Sequence, residues 1–209
     1  MKLKKFFNTE FKDFSNLDNI RSIPSVVDGF KDSQRKAVYG MIQNGNNEIK
    51  VAQAAGKFAL ITHYAHGEGS MGDTIVGLAQ NYPGSNNINL FEPIGQFGSI
   101  LTSEPSSHRY IFTKPSDNLR KYISKEDDCI LEHRYEDNDK VEPYHFFPSL
   151  PIWLVNGSVG IGTGHSEKFL PRDPQNVRKA IQKILEKKEV NEKELMKPTF
   201  IGWKGDVVQ

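Results

Sequence analysis

Residues 49–81, IKVAQAAGKFALITHYAHGEGSMGDTIVGLAQN, set the fold, because two runs of helical apolar periodicity flank a short polar break. The spacing predicts a helix from Ile49 to Ile61, a break over Thr62 to Gly67, and a second helix from Ser70 to Asn81. Ala52, Ala54, Ala55 and Gly56 are small enough for the first helix to pack closely, and Ile75, Val76 and Ala79 give the second an inward face. Two helices joined so tightly make a helix-turn-helix. Just upstream, Ser22-Ile-Pro24 and Asp28-Gly29 mark an extended lead-in with a turn. A further helix is then expected from Asp32 or Ser33 to the stop at Asn44-Gly45, with Ala37, Val38, Met41 and Ile42 on its apolar side. Residues 1–19 read as a short helix and connector.

After Pro83-Gly84 the pattern changes to short extended runs around Ile94, Phe97, Ile100 and Tyr110-Ile-Phe112, as for the wing of a winged-helix domain over residues 20–119. From about residue 120 strands are expected. They are Cys129 to Tyr135, the turn Glu136-Asp-Asn-Asp139, Val141 to Phe147, and the apolar run Ile152-Trp-Leu-Val155. Pro171-Arg-Asp-Pro174 opens a helix from Gln175 to Lys188 with Val177, Ile181 and Ile184 on one face, and Phe200 to Gly205 reads as the start of another strand. The fold class is α+β, with residues 120–209 the first part of a mixed α/β domain.

The 209 residues are 37% hydrophobic and 11% aromatic, enough for a real core. No apolar run approaches the ~20 residues of a membrane helix. The basic start Met1-Lys-Leu-Lys-Lys5 leads into Phe-Phe-Asn-Thr-Glu rather than an apolar signal core, so no membrane partner and a reducing cytoplasm are expected. The single Cys129 supports neither an intramolecular disulfide nor a zinc ribbon. The net charge of +1 conceals an asymmetry. Residues 125–142 hold eight acids against three bases, so the remainder carries +6, which permits a basic surface with an acidic segment turned away from it.

Arg109-Tyr110 carries the chemistry. A phenol has an ordinary pKa of ~10, and a neighbouring guanidinium favours the phenolate and grips phosphate bidentately. A Tyr in the run Tyr-Ile-Phe is by default a strand residue of the core. Its surroundings decide otherwise: Arg21-Ser-Ile-Pro-Ser-Val-Val-Asp-Gly-Phe-Lys31, Gln34-Arg35-Lys36, Lys50-Val-Ala-Gln53, His66-Gly-Glu68, Leu78-Ala-Gln-Asn81 through Gly84-Ser-Asn-Asn87, Gly95-Gln-Phe-Gly98, Val141-Glu-Pro143, Leu154-Val-Asn-Gly157 and Gly160-Ile-Gly-Thr-Gly164. In order and spacing these motifs resemble the DNA breakage-reunion region of type IIA DNA topoisomerases, in the eukaryotic and large-phage branch, from about Phe6 to the last residues.

That resemblance implies the following roles. Tyr110 attacks a phosphodiester of duplex DNA and becomes linked to the 5′ phosphate, while Arg109 stabilises the developing charge. Arg35, from the Gln-Arg-Lys motif, and His66 attend the scissile phosphate, and Lys36 and Lys50 contact the DNA backbone. Ile161 wedges between base pairs, the flanking glycines letting the backbone approach the groove. Gly160-Ile-Gly-Thr-Gly164 is GxGxG without a following Lys-Ser/Thr, so it is not a phosphate-binding P-loop, and nucleotide-dependent oxidoreductase chemistry is the weakest reading. His63 and His66, three apart, lack further ligands at metal spacing, so no metal site is expected here. Mg²⁺ and ATP belong to a Toprim and an ATPase region on another segment or chain. The initiating Met near the family's Toprim junction favours a split, phage-like subunit that works in a dimer in the host cytoplasm. Residues 120–209 would begin the family's tower domain. The rival is a winged-helix module that bends DNA without cutting it.

Overall fold

The computed structural model describes residues 3–191, 193 and 197–205. Helices α1 (Leu3–Asn8) and α2 (Glu10–Ser22) replace the expected short helix and connector, whose Met1 and Lys2 lie outside the described residues. Helix α3 (Asp32–Asn44) begins where the Gln34 side chain accepts a hydrogen bond from the Lys31 N–H at 2.9 Å, closing a first-turn donor that would otherwise be unpaired. Ala37, Val38 and Met41 are fully buried and Ile42 half-buried, as the periodicity requires.

Strand β1 (Ile49–Lys50) precedes helices α4 (Val51–Ile61) and α5 (Glu68–Ala79), with the break between them in place. The first of these helices starts two residues later than its periodicity indicates, because Ile49 and Lys50 pair in a sheet. Strands β2 (Phe91–Ile94) and β3 (Phe112–Pro115) complete that antiparallel sheet in the order β1-β3-β2, with Ile49 opposite Thr113 and Lys50 opposite Phe112. Phe30, Met41, Phe58, Met71, Ile75, Phe91 and Ile111 form one core between helices and sheet. Each large side chain buried there contributes roughly 1.5–3 kcal/mol relative to exposure. The amide-rich stretch that follows α5 satisfies backbone groups outside regular structure. Gln80 donates to the Phe97 and Ser103 carbonyls, and Asn87 to those of Val155, Arg172 and Thr199.

The second half departs further from expectation. A short helix α6 (Leu119–Tyr122) and a 3₁₀ turn over Glu126–Cys129 precede strand β4 (His133–Glu136), so the strand expected from Cys129 is shorter. Its partner β5 (Asp139–Pro143) follows a turn in which Asp137 and Asn138 have φ of 49° and 69°, the left-handed pair that a two-residue hairpin favours. The run from Ile152 is not a strand but a single helical turn, α7 (Ile152–Val155), with only the i,i+3 pair Ile152 and Val155 buried. Four apolar residues carry too little periodicity to separate the two states. Strands β6 (Ser158–Ile161) and β7 (Ser166–Phe169) form a second hairpin.

Helix α8 (Pro174–Leu185) is capped by Asp173, whose carboxylate accepts from the Gln175 and Asn176 N–H groups, with Pro174 at the first helical position. Its buried stripe is Val177 and Ala180, and Ile184 is exposed. The expected last strand is instead a turn at Ile201-Gly202, and residues 206–209 lie outside the described part. Among the described residues no helix is long and apolar enough to cross a membrane.

Candidate active site

Tyr110 is 70% exposed, while the next residue, Ile111, is buried. That removes the default reading of a core strand tyrosine. It stands on a turn ahead of β3, where its N–H donates to the Ser107 carbonyl at 2.9 Å. The turn is fixed to the start of α4: the Val51 N–H donates to the Ile111 carbonyl at 3.0 Å and the Ala52 N–H to the His108 carbonyl at 3.1 Å. Two N–H groups that a helix start leaves unpaired thus hold the turn. The Arg109 guanidinium lies 5.6 Å from the Tyr110 ring centroid, and its Nε donates to Ser107 Oγ. Lys50, opposite Phe112, places its ammonium 5.5 Å from that ring, on the same end of the sheet. Arg109, Tyr110 and Lys50 are therefore gathered together.

A second group surrounds an open cleft of about 420 Å³ lined by Arg21, Lys31, Ser33, His66, Ser70 and Ile161, among others. His66 lies in the break before α5 and packs edge-on against Tyr64. His63 turns instead to the β4–β5 hairpin, with Nε2 3.0 Å from Asp139. The two histidines therefore face different partners. Among the described residues no three His, Cys, Asp or Glu side chains cluster as metal ligands. The cleft and the Tyr110 turn meet along α5. Ser70 lines the cleft, and Asp73, three residues on along the same helix face, pairs with His108 of the turn at 3.2 Å.

Arg35 and Lys36, for which the resemblance implies phosphate contacts, do not line the cleft and are paired with carboxylates. Arg35 is only 6% exposed and forms a fork on Asp28, with Nε to Oδ2 at 2.7 Å and Nη2 to Oδ1 at 3.0 Å. The same carboxylate accepts from the Phe30 and Phe146 N–H groups, so its acceptor sites are filled. The Lys36 ammonium donates to the Thr62 carbonyl at 2.6 Å and lies 3.0 Å from the fully buried Glu142, which also takes Arg134. Both cations are buried and paired with carboxylates, so drawing either away would leave a buried carboxylate without its partner. The acidic segment is accordingly not simply turned away, since its Glu142 and Glu136 neutralise Lys36.

Arg21 and Lys31, which the motif reading quoted but did not single out, line the cleft instead. Position was the available signal, since Arg21 lies in the last turn of α2 and Lys31 caps α3, and both flank the extended lead-in.

Ile161 is 75% exposed at the tip of β6. The glycines beside it serve α2 packing. A Cβ on Gly160 would lie 3.0 Å from the Ser22 carbonyl, Ile23 and Pro24, and one on Gly162 would overlap the Asn19 amide. Asn19 donates to the Thr163 carbonyl, and the Thr163 hydroxyl donates to Asp18, holding that carboxyl below the usual range. Helix α2 therefore holds the hairpin that presents Ile161.

The fold recurs in a solved structure and the sequence in known relatives. A crystal structure of the Plasmodium falciparum topoisomerase II DNA-binding, cleavage and re-ligation domain superposes with a TM-score of 0.90 at 40% identity, covering 96% of this chain and 28% of that one. DNA topoisomerase 2 of Bombyx mori is 46% identical over 205 residues, which is 97% of this chain and 13% of that protein. DNA topoisomerase 2 of Acanthamoeba polyphaga mimivirus is 44% identical over 200 residues, 93% of this chain and 16% of that protein. The chain thus spans well under a fifth of those two relatives. The model of the DNA gyrase/topoisomerase IV family, in its A-type subunits, matches residues 21–209, a span that holds the tyrosine turn, the cleft and both hairpins, and to that family this chain belongs.

Proposed function

We propose that this chain performs DNA cleavage and rejoining within an ATP-dependent type II DNA topoisomerase. Helices α3 to α5 with the β1-β3-β2 sheet, within residues 20–119, serve as its winged helix, and residues 120–209 open the tower domain. Tyr110 is the nucleophile. Its Oη bonds to phosphorus as the bond from phosphorus to O3′ breaks, the phenolic proton is lost, and the freed 3′ oxygen takes up a proton. Reversal rejoins the strand, because the bond energy is kept in the 5′-phosphotyrosyl link.

Arg109 supports the charge that develops on phosphorus. Arg21, Lys31 and His66 hold backbone phosphates in the cleft, Lys50 adds a contact beside the turn, and Ile161 enters the bent duplex. Mg²⁺, whose chemistry is charge neutralisation at phosphate, and the ATPase act from another region or subunit of a dimer in the cytoplasm. The observation that carries the reading is an exposed tyrosine on a turn anchored to a helix start, one helix face away from a cation-lined cleft.

The test is denaturant trapping of protein on DNA by the assembled enzyme with Mg²⁺. Tyr110→Phe should abolish covalent attachment and leave DNA affinity within about twofold, since it removes no cation. A Phe variant that still traps would mean that Tyr110 is not the nucleophile, whereas a parent enzyme that never traps would return the chain to the class of DNA-bending modules.

A further inference from the structure

His108 lies two residues before the tyrosine and faces α5. Its Nε2 is 3.2 Å from Asp73 Oδ1, its side chain is only 24% exposed, and its ring packs on Gly72 so closely that a Cβ there would overlap Nδ1. Gly72 is itself buried, between Met71 and Ile75 of the core, so the surface that receives the ring is rigid. The rest of the turn has little to hold it. Ser107, Arg109 and Tyr110 are exposed, and the backbone bonds to α4 fix only the carbonyls of His108 and Ile111. Backbone bonds tie the turn to α4 and, from the Ser106 N–H to the Gln96 carbonyl, to the chain after β2, and His108 is its side-chain anchor on α5.

We propose that His108 is a positioning residue for DNA cleavage. Clamped between Gly72 and Asp73, it fixes the Arg109-Tyr110 turn to the helix whose first turn opens into the cation-lined cleft. A phosphate seated in the cleft and the attacking Oη then share one rigid reference, and a displacement of about 1 Å costs up to roughly 10²-fold in rate. This inference rests on Tyr110 being the nucleophile.

The experiment measures single-turnover cleavage at saturating DNA, and separately the DNA affinity, in the assembled enzyme carrying His108→Ala, His108→Gln, Asp73→Ala or His108→Ala with Asp73→Ala. His108→Ala should cleave roughly 10- to 100-fold more slowly with affinity within about twofold. His108→Gln, whose amide can reach Asp73, should recover most of the rate. Asp73, 79% exposed in its side chain, can be truncated without threatening the fold, and its loss should slow cleavage less than that of His108. The double variant should match His108→Ala, because Asp73 acts through His108. Wild-type cleavage by His108→Ala, or losses that multiply in the double variant as for independent sites, would overturn the positioning role. Covalent trapping by Tyr110→Phe would overturn instead the reading on which it rests.

Discussion

Arg21 and Lys31 open onto the cleft, whereas Arg35 and Lys36, on the same stretch of chain, are buried against Asp28 and Glu142. In sequence the four are alike: cations close to one end of a helix, within the motifs that carry the family resemblance. What separates them is whether a carboxylate has already claimed the charge. A buried cation needs a partner because its desolvation costs several kcal/mol, and once paired it is held in place by that carboxylate. The first pair lines the cleft and the second supplies architecture, with Lys36 joining α3 to the β4–β5 hairpin.

Arg35→Ala should show the largest effect. It leaves the Asp28 carboxylate buried without its cation, so the chain should lose about 3–5 kcal/mol of stability in urea unfolding. A loss under about 1 kcal/mol, with cleavage impaired in a fully folded enzyme, would move Arg35 back among the phosphate ligands and erase the contrast.

Arg21→Ala should do the reverse. Stability should change by no more than about 0.5 kcal/mol, as at other exposed positions, while cleavage by the assembled enzyme falls by roughly 10²-fold, the cost of one lost transition-state donor. Wild-type cleavage would make Arg21 a bystander at the rim.

Lys31→Ala sharpens the comparison through salt. If its ammonium displaces one counterion from DNA, the slope of log affinity against log salt should fall by about 1. A Lys36→Met variant, if folded, should leave that slope unchanged. Equal slopes for Lys31→Ala and the parent would place Lys31 away from the backbone.

Ile161→Ala should have the smallest effect on stability, within about 0.5 kcal/mol, because the side chain is 75% exposed. Fluorescence distances across a short duplex should nonetheless report less bending. Undiminished bending would leave the wedge reading without support.

Much of the helical half was legible because its signals are local. Alanines and β-branched residues at helical spacing, a polar break and an Asn-Gly stop predicted α3, α4 and α5 to within a few residues. The late start of α4 has a specific cause. Ile49 and Lys50 satisfy helix periodicity, but their backbone is claimed by strand β3, some sixty residues on. The run Ile152-Trp-Leu-Val155 erred in the other direction, since four apolar residues do not fix a period and the core accepted an i,i+3 pair. Reading the glycines around Ile161 as clearance for DNA overlooked a nearer neighbour, the C-terminal half of α2.

Composition and motif order were sufficient for the α+β class, the helix pair α4 and α5 with the polar break between them, and the tyrosine beside an arginine, because residue type and short-range spacing determine them. Which cations remain available for phosphate was decided only by tertiary structure. Asp28, Glu136 and Glu142 reach Arg35 and Lys36 across 7, 100 and 106 residues of chain, and the cost of burying an unpaired charge forces those pairings once the core has closed.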